Sequence, residues 1–209
     1  MAVDENLHLA RRLGYGLGRD EDIGPSVRDW AVRQVSAVPP LGFVGPNGTS
    51  VRDLLGENAD PFEDFAAACR SWSVYRPLRD ELKLREGTMT ADRYEELLRV
   101  KLFTPYGDLP RWRDCLARTL TAVYGDSPVF ERFWSFWVNH FTVSAADPDA
   151  LQFYGPHTRA IRQRMTGRFA DMLHDAILNP AMLQYLNNIQ STGPHSLAGK
   201  RSNTSLNEN

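Results

Sequence analysis

Three features of the sequence predict an all-α fold, an irregular multi-helix bundle incomplete at its C-terminus. Apolar residues recur three and four positions apart in one segment after another, which is the period of a helix face. Asp60-Pro61, Ser127-Pro128 and Asn179-Pro180 each place a capping residue directly before a proline. Proline suits the first helical position because its missing N–H would have no partner there. Alternating apolar and polar runs, the mark of a half-buried strand, are nearly absent.

Composition sets the outer limits. At 209 residues, 42% hydrophobic and 24% charged, the chain has enough apolar surface for one globular core. A net charge of −2 supplies no basic field of the kind that holds nucleic acid or anionic membrane. No run reaches the roughly 18 apolar residues of a membrane span. Arg11 and Arg12 are not followed by the apolar stretch of an export signal, so the chain as given reads as soluble and cytoplasmic, without a signal peptide. Cys69 and Cys115 have no second thiol or histidine at ligand spacing and are expected to be free, buried thiols.

The elements follow in order. "ENLHLARRLG" predicts a short helix closed by Gly14, and the glycines of "GYGLG" follow a helix where a phosphate-binding fingerprint requires a strand. Residues 25–38 predict a second helix with Pro25 near its first turn, followed by the loop "PPLGFVGPNG". A third opens at Asp60-Pro61 and is expected to be interrupted near Pro77, where a backbone donor is lost. "TADRYEELLRVKLF" and "DLPRWRDCLARTLTAVYG" carry helical spacing. "NPAMLQYLNN" starts a late helix capped by Asn179, and the polar stretch "STGPHSLAGKRSNTS" is expected to be an exposed loop.

The most informative segment is "DSPVFERFWSFWVNHFTVS", capped by Ser127. At about 100° per residue, Phe130, Phe133, Trp134, Phe136, Trp137 and Phe141 share one broad face, with His140 inside it and Asn139 on the other side. An imidazole among aromatic rings must find a hydrogen-bond partner. Two readings stand: a buried histidine donating to a backbone carbonyl, or a metal ligand or proton-transfer group. No second histidine or carboxylate stands at i+3 or i+4, so no metal ligand set is assigned.

In "HTRAIRQRMTGRFADMLHDAIL", Met165, Phe169, Met172, Leu173, Ala176 and Ile177 share a face from which Arg162 projects. A buried guanidinium needs an acidic or carbonyl partner elsewhere in the fold; the alternative is a stem that snorkels to water. Arg164 and Arg168 lie off the face with Asp171 and Asp175 and read as solvated, and His157, His174 and His195 read as surface residues. No HExxH, GxSxG, phosphate-binding loop or CxxC pair names a reaction. At the end of the chain, Ser205 and Glu208 form a capping box, the start signal of a helix for which no further residues follow, so the chain is expected to be a fragment.

Five stretches, "HLARRLGYG", "FWVNHFTVS", "AIRQRMTGRFADML", "NPAMLQYLNNIQSTGP" and "LNEN", resemble in order the bacterial DUF1800 family, a domain of unknown function. The resemblance implies a family domain over residues 1–190, and a polar loop with the start of a truncated helix over 191–209. Family members commonly carry histidines at positions 164 and 179 and an aspartate at 187, where this chain has Arg164, Asn179 and Asn187. The function stays unknown, with two readings. In one, His140, Arg162 and Glu208 are catalytic candidates, with Asn139 and Asn207 as binding candidates. Together with a further acidic helix of the full-length form, they would build a polar site between helices that holds a divalent metal. In the other, the protein is a non-catalytic assembly protein whose partner belongs to an exported sulfatase-like family, or an inactive remnant that self-associates through uncovered apolar surface.

Overall fold

The computed structural model describes residues 5–17, 22–42, 48–50, 65–84, 90–96, 109–144, 150, 153–202 and 205–207. The helices are α1 (Glu5–Leu13), α2 (Val27–Val35), α3 (Phe65–Leu84), α4 (Leu109–Tyr124), α5 (Pro128–His140), α6 (Tyr154–Arg164), α7 (Phe169–Ile177), α8 (Pro180–Tyr185) and α9 (Leu197–Ser202). Residues 91–96 are also helical, and a 3₁₀ turn at Asn188–Gln190 follows α8. Among the described residues there is no β-strand, and the all-α prediction holds. Predicted helix starts at residues 60–64 and the loop residues 43–47 lie outside the described residues.

Helix α5 is the hub, packing against α1, α2, α4 and α6. Its Phe130, Trp134, Val138 and Phe141 recur at the helical period and enter the main core with Phe153, Ile161, Met165, Met172 and Met182. Its first turn reaches the other way. Val129 joins Ala10, Val27 and Trp30 in a smaller core that docks α1 and α2.

Both docked helices are tied to α5 by polar atoms at helix ends, where backbone groups lack intrahelical partners. Arg132 donates to the carbonyls of Arg11 at 3.0 Å and Gly14 at 2.8 Å, closing the last turn of α1. Gly14 fits there because a Cβ would stand 3.1 Å from the backbone of Pro128 and Val129. Ser26 caps α2, its hydroxyl accepting from the Asp29 N–H at 3.2 Å, and the predicted cap holds at α8, where Asn179 accepts from the Ala181 N–H at 3.0 Å. Ser127 occupies the cap position of α5 without a side-chain bond. Gln34 of α2 serves instead, its side-chain oxygen accepting from the Val129 N–H at 2.9 Å.

Several expectations are corrected. α3 runs through Pro77, where the lost donor affects a segment in which Ser73 and Pro77 are exposed to water. The second helix begins at Val27, after Pro25. The face expected to run from Met165 to Ile177 is split by the turn at 165–168, where the Gly167 N–H donates to the Arg164 carbonyl at 2.8 Å; Phe169 and Ile177 consequently stand exposed. The polar stretch after Ser191 contains α9. Cys69 and Cys115 are free, as expected, but half-buried. Ser205–Asn207 are not helical; the Asn207 N–H donates to the Ser191 hydroxyl at 2.9 Å and its amide to the Leu186 carbonyl at 3.0 Å. Glu208 lies outside the described residues, so the capping box is not described.

Candidate functional site

A buried arginine needs partners for its guanidinium, and Arg162, 1% exposed, meets them in three directions, although its Nε makes no hydrogen bond. Its Nη1 stands 2.7 Å from Oε1 of Glu131, itself 2% exposed. Its Nη2 donates to the Pro39 carbonyl at 3.1 Å and lies 3.5 Å from that of Pro40. The guanidinium carbon lies 4.6 Å from the ring centroid of Phe130 and 4.7 Å from that of Trp134, both within cation–π range. The predicted buried partner for Arg162 therefore exists, and the snorkelling alternative does not apply.

Trp134 connects this pair to a second arginine. Its indole N–H donates to the Thr158 carbonyl at 2.8 Å, which fixes the ring between α5 and α6. Arg118 of α4 lies 4.8 Å from the same ring centroid and 5.5 Å from that of Tyr154, and donates to the Tyr154 hydroxyl. One turn earlier on α4, Asp114 is 4% exposed, with Oδ1 4.0 Å from Nη1 of Arg159. Burial pushes the Asp114 carboxyl up to about 6 against the opposing pull of Arg118 and Arg159. Burial also raises the Glu131 carboxyl, opposed by Arg162 and Arg118.

A cavity of about 520 Å³ opens beside this network. Cys115, Arg118, Thr119, Ala122 and Val123, on one face of α4, form one wall. Glu131, Trp134 and Ser135, on one face of α5, form the other. Tyr15, just after α1, leans over the opening and donates to the Ser135 hydroxyl at 2.8 Å. Two polar atoms at this site are buried without a hydrogen-bond partner, Oε2 of Glu131 and Nε of Arg118. Buried polar atoms left in this way are uncommon and call for an explanation, of which a ligand or water that completes the set is one; Oδ2 of Asp114 and Nε of Arg162 in the adjoining network are in the same state.

The sequence-predicted residues are distributed differently. His140 is exposed at the end of α5, in contact with Phe136, Trp137 and Phe141, which corrects the expectation that it is buried. The period of α5 turns Phe130, Trp134 and Val138 inward and leaves Phe133, Phe136 and His140 outside. Asn139 is exposed as well. The buried histidine is His157, expected at the surface: α6 starts at Tyr154 and carries it inward, where Nε2 donates to the Phe141 carbonyl at 2.7 Å. Burial lowers its pKa, which keeps the ring neutral. Arg164 and Asp175 pair at 2.8 Å on the surface, and His174 and His195 are exposed, as expected. The acidic partner Glu131 was not foreseen, although it is the one carboxylate in "PVFERFWSFWVNH". Asp114, Arg118 and Arg159 carried no motif that marked them.

The site thus brings together Arg162, Glu131 and Arg118, and leaves His140 and Asn139 outside. Among the described residues no group of three or more histidines, cysteines, aspartates and glutamates is placed to hold a metal ion. No helix among them is long and apolar enough to cross a membrane.

The Asp114 carboxyl supplies a pH test. Its folded pKa is raised above the ordinary 3.8, so the folded protein binds this proton more tightly than the unfolded chain. Its contribution to stability is complete below the unfolded value and is lost as pH rises through about 6. Relative to Asp114→Asn, the wild type is expected to lose stability in urea unfolding as pH rises from about 4 to about 7. Parallel curves for the two proteins would contradict this.

No curated protein and no solved structure matches the chain. A family model described as a protein of unknown function, DUF1800, matches residues 8–209, so the chain belongs to the DUF1800 family.

Proposed function

We propose that this chain is a binding protein that takes a small ligand in the cavity between α4 and α5. Arg118 and Glu131 are the contact residues, and Arg162 is the residue that holds Glu131 in place. The observation that carries the reading is a buried carboxylate oxygen of Glu131 with no hydrogen-bond partner, on a residue that lines a cavity of about 520 Å³. That volume falls within the range of roughly 300–1,000 Å³ typical of small-molecule sites. Such sites combine apolar side chains with a few convergent polar groups, and this lining sets Cys115, Ala122, Val123 and Trp134 beside Arg118, Glu131 and three hydroxyls. Of the residues anticipated from the family for a polar site between helices, this reading uses Arg162 alone, in a positioning role.

The test is thermal unfolding of the wild type and of Ala122→Phe, whose ring would fill the cavity, against small cations, anions, zwitterions and neutral polar compounds. At least one class is expected to raise the wild-type Tm by about 5 °C at saturating concentration, and to leave Ala122→Phe unmoved. No stabilising class, or equal stabilisation of the variant, would overturn the reading.

A second reading, contact with a protein of the sulfatase-like family, is supported by one feature. Phe136 is 57% exposed and Phe169 52%, and both pack on the edge of Trp137, with ring centroids 5.0 and 5.7 Å from it. With Phe133, His140 and Asn139 they make an apolar surface with a polar margin, the composition of a protein contact. Phe136→Ser is expected to abolish co-purification with the co-expressed sulfatase-like protein while leaving Tm within about 2 °C of wild type. Undiminished capture by the variant would remove this reading.

A further inference from the structure

The polar groups of the cavity carry information about the ligand's chemistry. Arg118 lines the cavity; the Asp114 and Glu131 carboxyls both feel its charge, but among the described residues neither pairs with it directly. Its hydrogen bond goes to the neutral hydroxyl of Tyr154, and its guanidinium carbon lies 4.8 Å and 5.5 Å from the ring centroids of Trp134 and Tyr154. Its Nε is buried without a partner. A guanidinium held this way is a preformed receptor for a planar anionic group, since it offers several N–H donors in one plane and little freedom is lost on binding. Glu131 has the opposite need. Oε1 is occupied by Arg162 at 2.7 Å, and Oε2 has no donor. Both residues line the cavity, one from α4 and one from α5, and the Arg118 charge acts on the Glu131 carboxyl.

A simple anion would satisfy Arg118 but meet the Glu131 carboxylate, and a simple cation would have the reverse conflict. A ligand carrying both charges a few ångströms apart satisfies each group. The remaining wall is mixed, with Cys115, Ala122, Val123 and Trp134 beside the hydroxyls of Tyr15, Thr119 and Ser135. Resting on the proposed ligand-binding role of the cavity, we propose that its ligand is a free α-amino acid with an apolar side chain. The carboxylate pairs with Arg118, the ammonium donates to Oε2 of Glu131, and the side chain lies along Ala122 and Val123.

The test is isothermal titration calorimetry of the full chain with L-phenylalanine and L-leucine. The half-ligands 3-phenylpropionate, which lacks the amine, and phenethylamine, which lacks the carboxylate, serve as comparisons. L-Phenylalanine or L-leucine is expected to bind saturably, and each half-ligand at least about tenfold more weakly, because each leaves one charged group without its partner. Arg118→Gln is expected to weaken amino-acid binding by about tenfold or more and to strengthen binding of phenethylamine, whose ammonium no longer meets the Arg118 charge. That contrast separates loss of the carboxylate contact from loss of folding. Absence of amino-acid binding, a half-ligand that binds as tightly as the amino acid, or an Arg118→Gln protein with wild-type affinity would each overturn the assignment. If another class from the thermal panel occupies the cavity while amino acids do not, the cavity's binding role stands and this identification falls.

Discussion

The buried pair of Glu131 and Arg162 is the interaction on which the arrangement of the other helices depends. It joins the two central helices α5 and α6, and through the Pro39 carbonyl it also ties down the chain that leaves α2. Taking two charges out of water costs several kcal/mol for each ion, and the pair repays this only if geometry is good and the remaining polar groups are matched. Here the arginine meets a carboxylate oxygen, proline carbonyls and two aromatic faces, and the matching is incomplete on both sides, because Nε of Arg162 and Oε2 of Glu131 each lack a hydrogen-bond partner. Glu131 also lines the cavity, which is why the same interaction serves both as the brace of the fold and as the origin of the proposed binding site.

Trp134 carries the effect of this brace outward. Its ring receives the guanidinium of Arg162 and that of Arg118, and its N–H is fixed to the Thr158 carbonyl. Moving any of these residues disturbs the shared ring, so α4, α5 and α6 are coupled through one side chain. A site mounted on three packed helices is held more closely than one made of loops, a requirement for recognising charges at fixed separation. The exposed aromatic set around Trp137 lies on the other side of α5, so ligand contact and protein contact would use different faces of one helix.

The fold was largely legible. Helix starts at Pro128 and Pro180 and the break after Leu13 follow from local chemistry that tertiary packing did not override. The inward face of α5 was not legible, because with aromatics at six positions the wheel gives a face too broad to orient, and Val138, outside that set, marks the true stripe. The expectation of a histidine donating to a carbonyl in the core was sound chemistry placed on the wrong residue. His157 does this, and His140 does not. Arg162 announced its need for a partner, and the need is met; which carboxylate meets it depends on how α5 and α6 face each other, and a single sequence does not state that. Arg118 was invisible for the same reason: its role comes from the ring beneath it and the cavity beside it, both products of packing.

The most direct test of this account is a double-mutant cycle on the brace, with Glu131→Leu and Arg162→Met made singly and together and unfolding free energies measured in urea. The account predicts that each single change costs about 3–5 kcal/mol, because each leaves a buried charge alone. It predicts that the double variant is much less destabilised than the sum of the two, with a coupling above about 2 kcal/mol. Additive losses, with a coupling within about 0.5 kcal/mol, would contradict the claim that this pair is one interaction around which the helices are arranged.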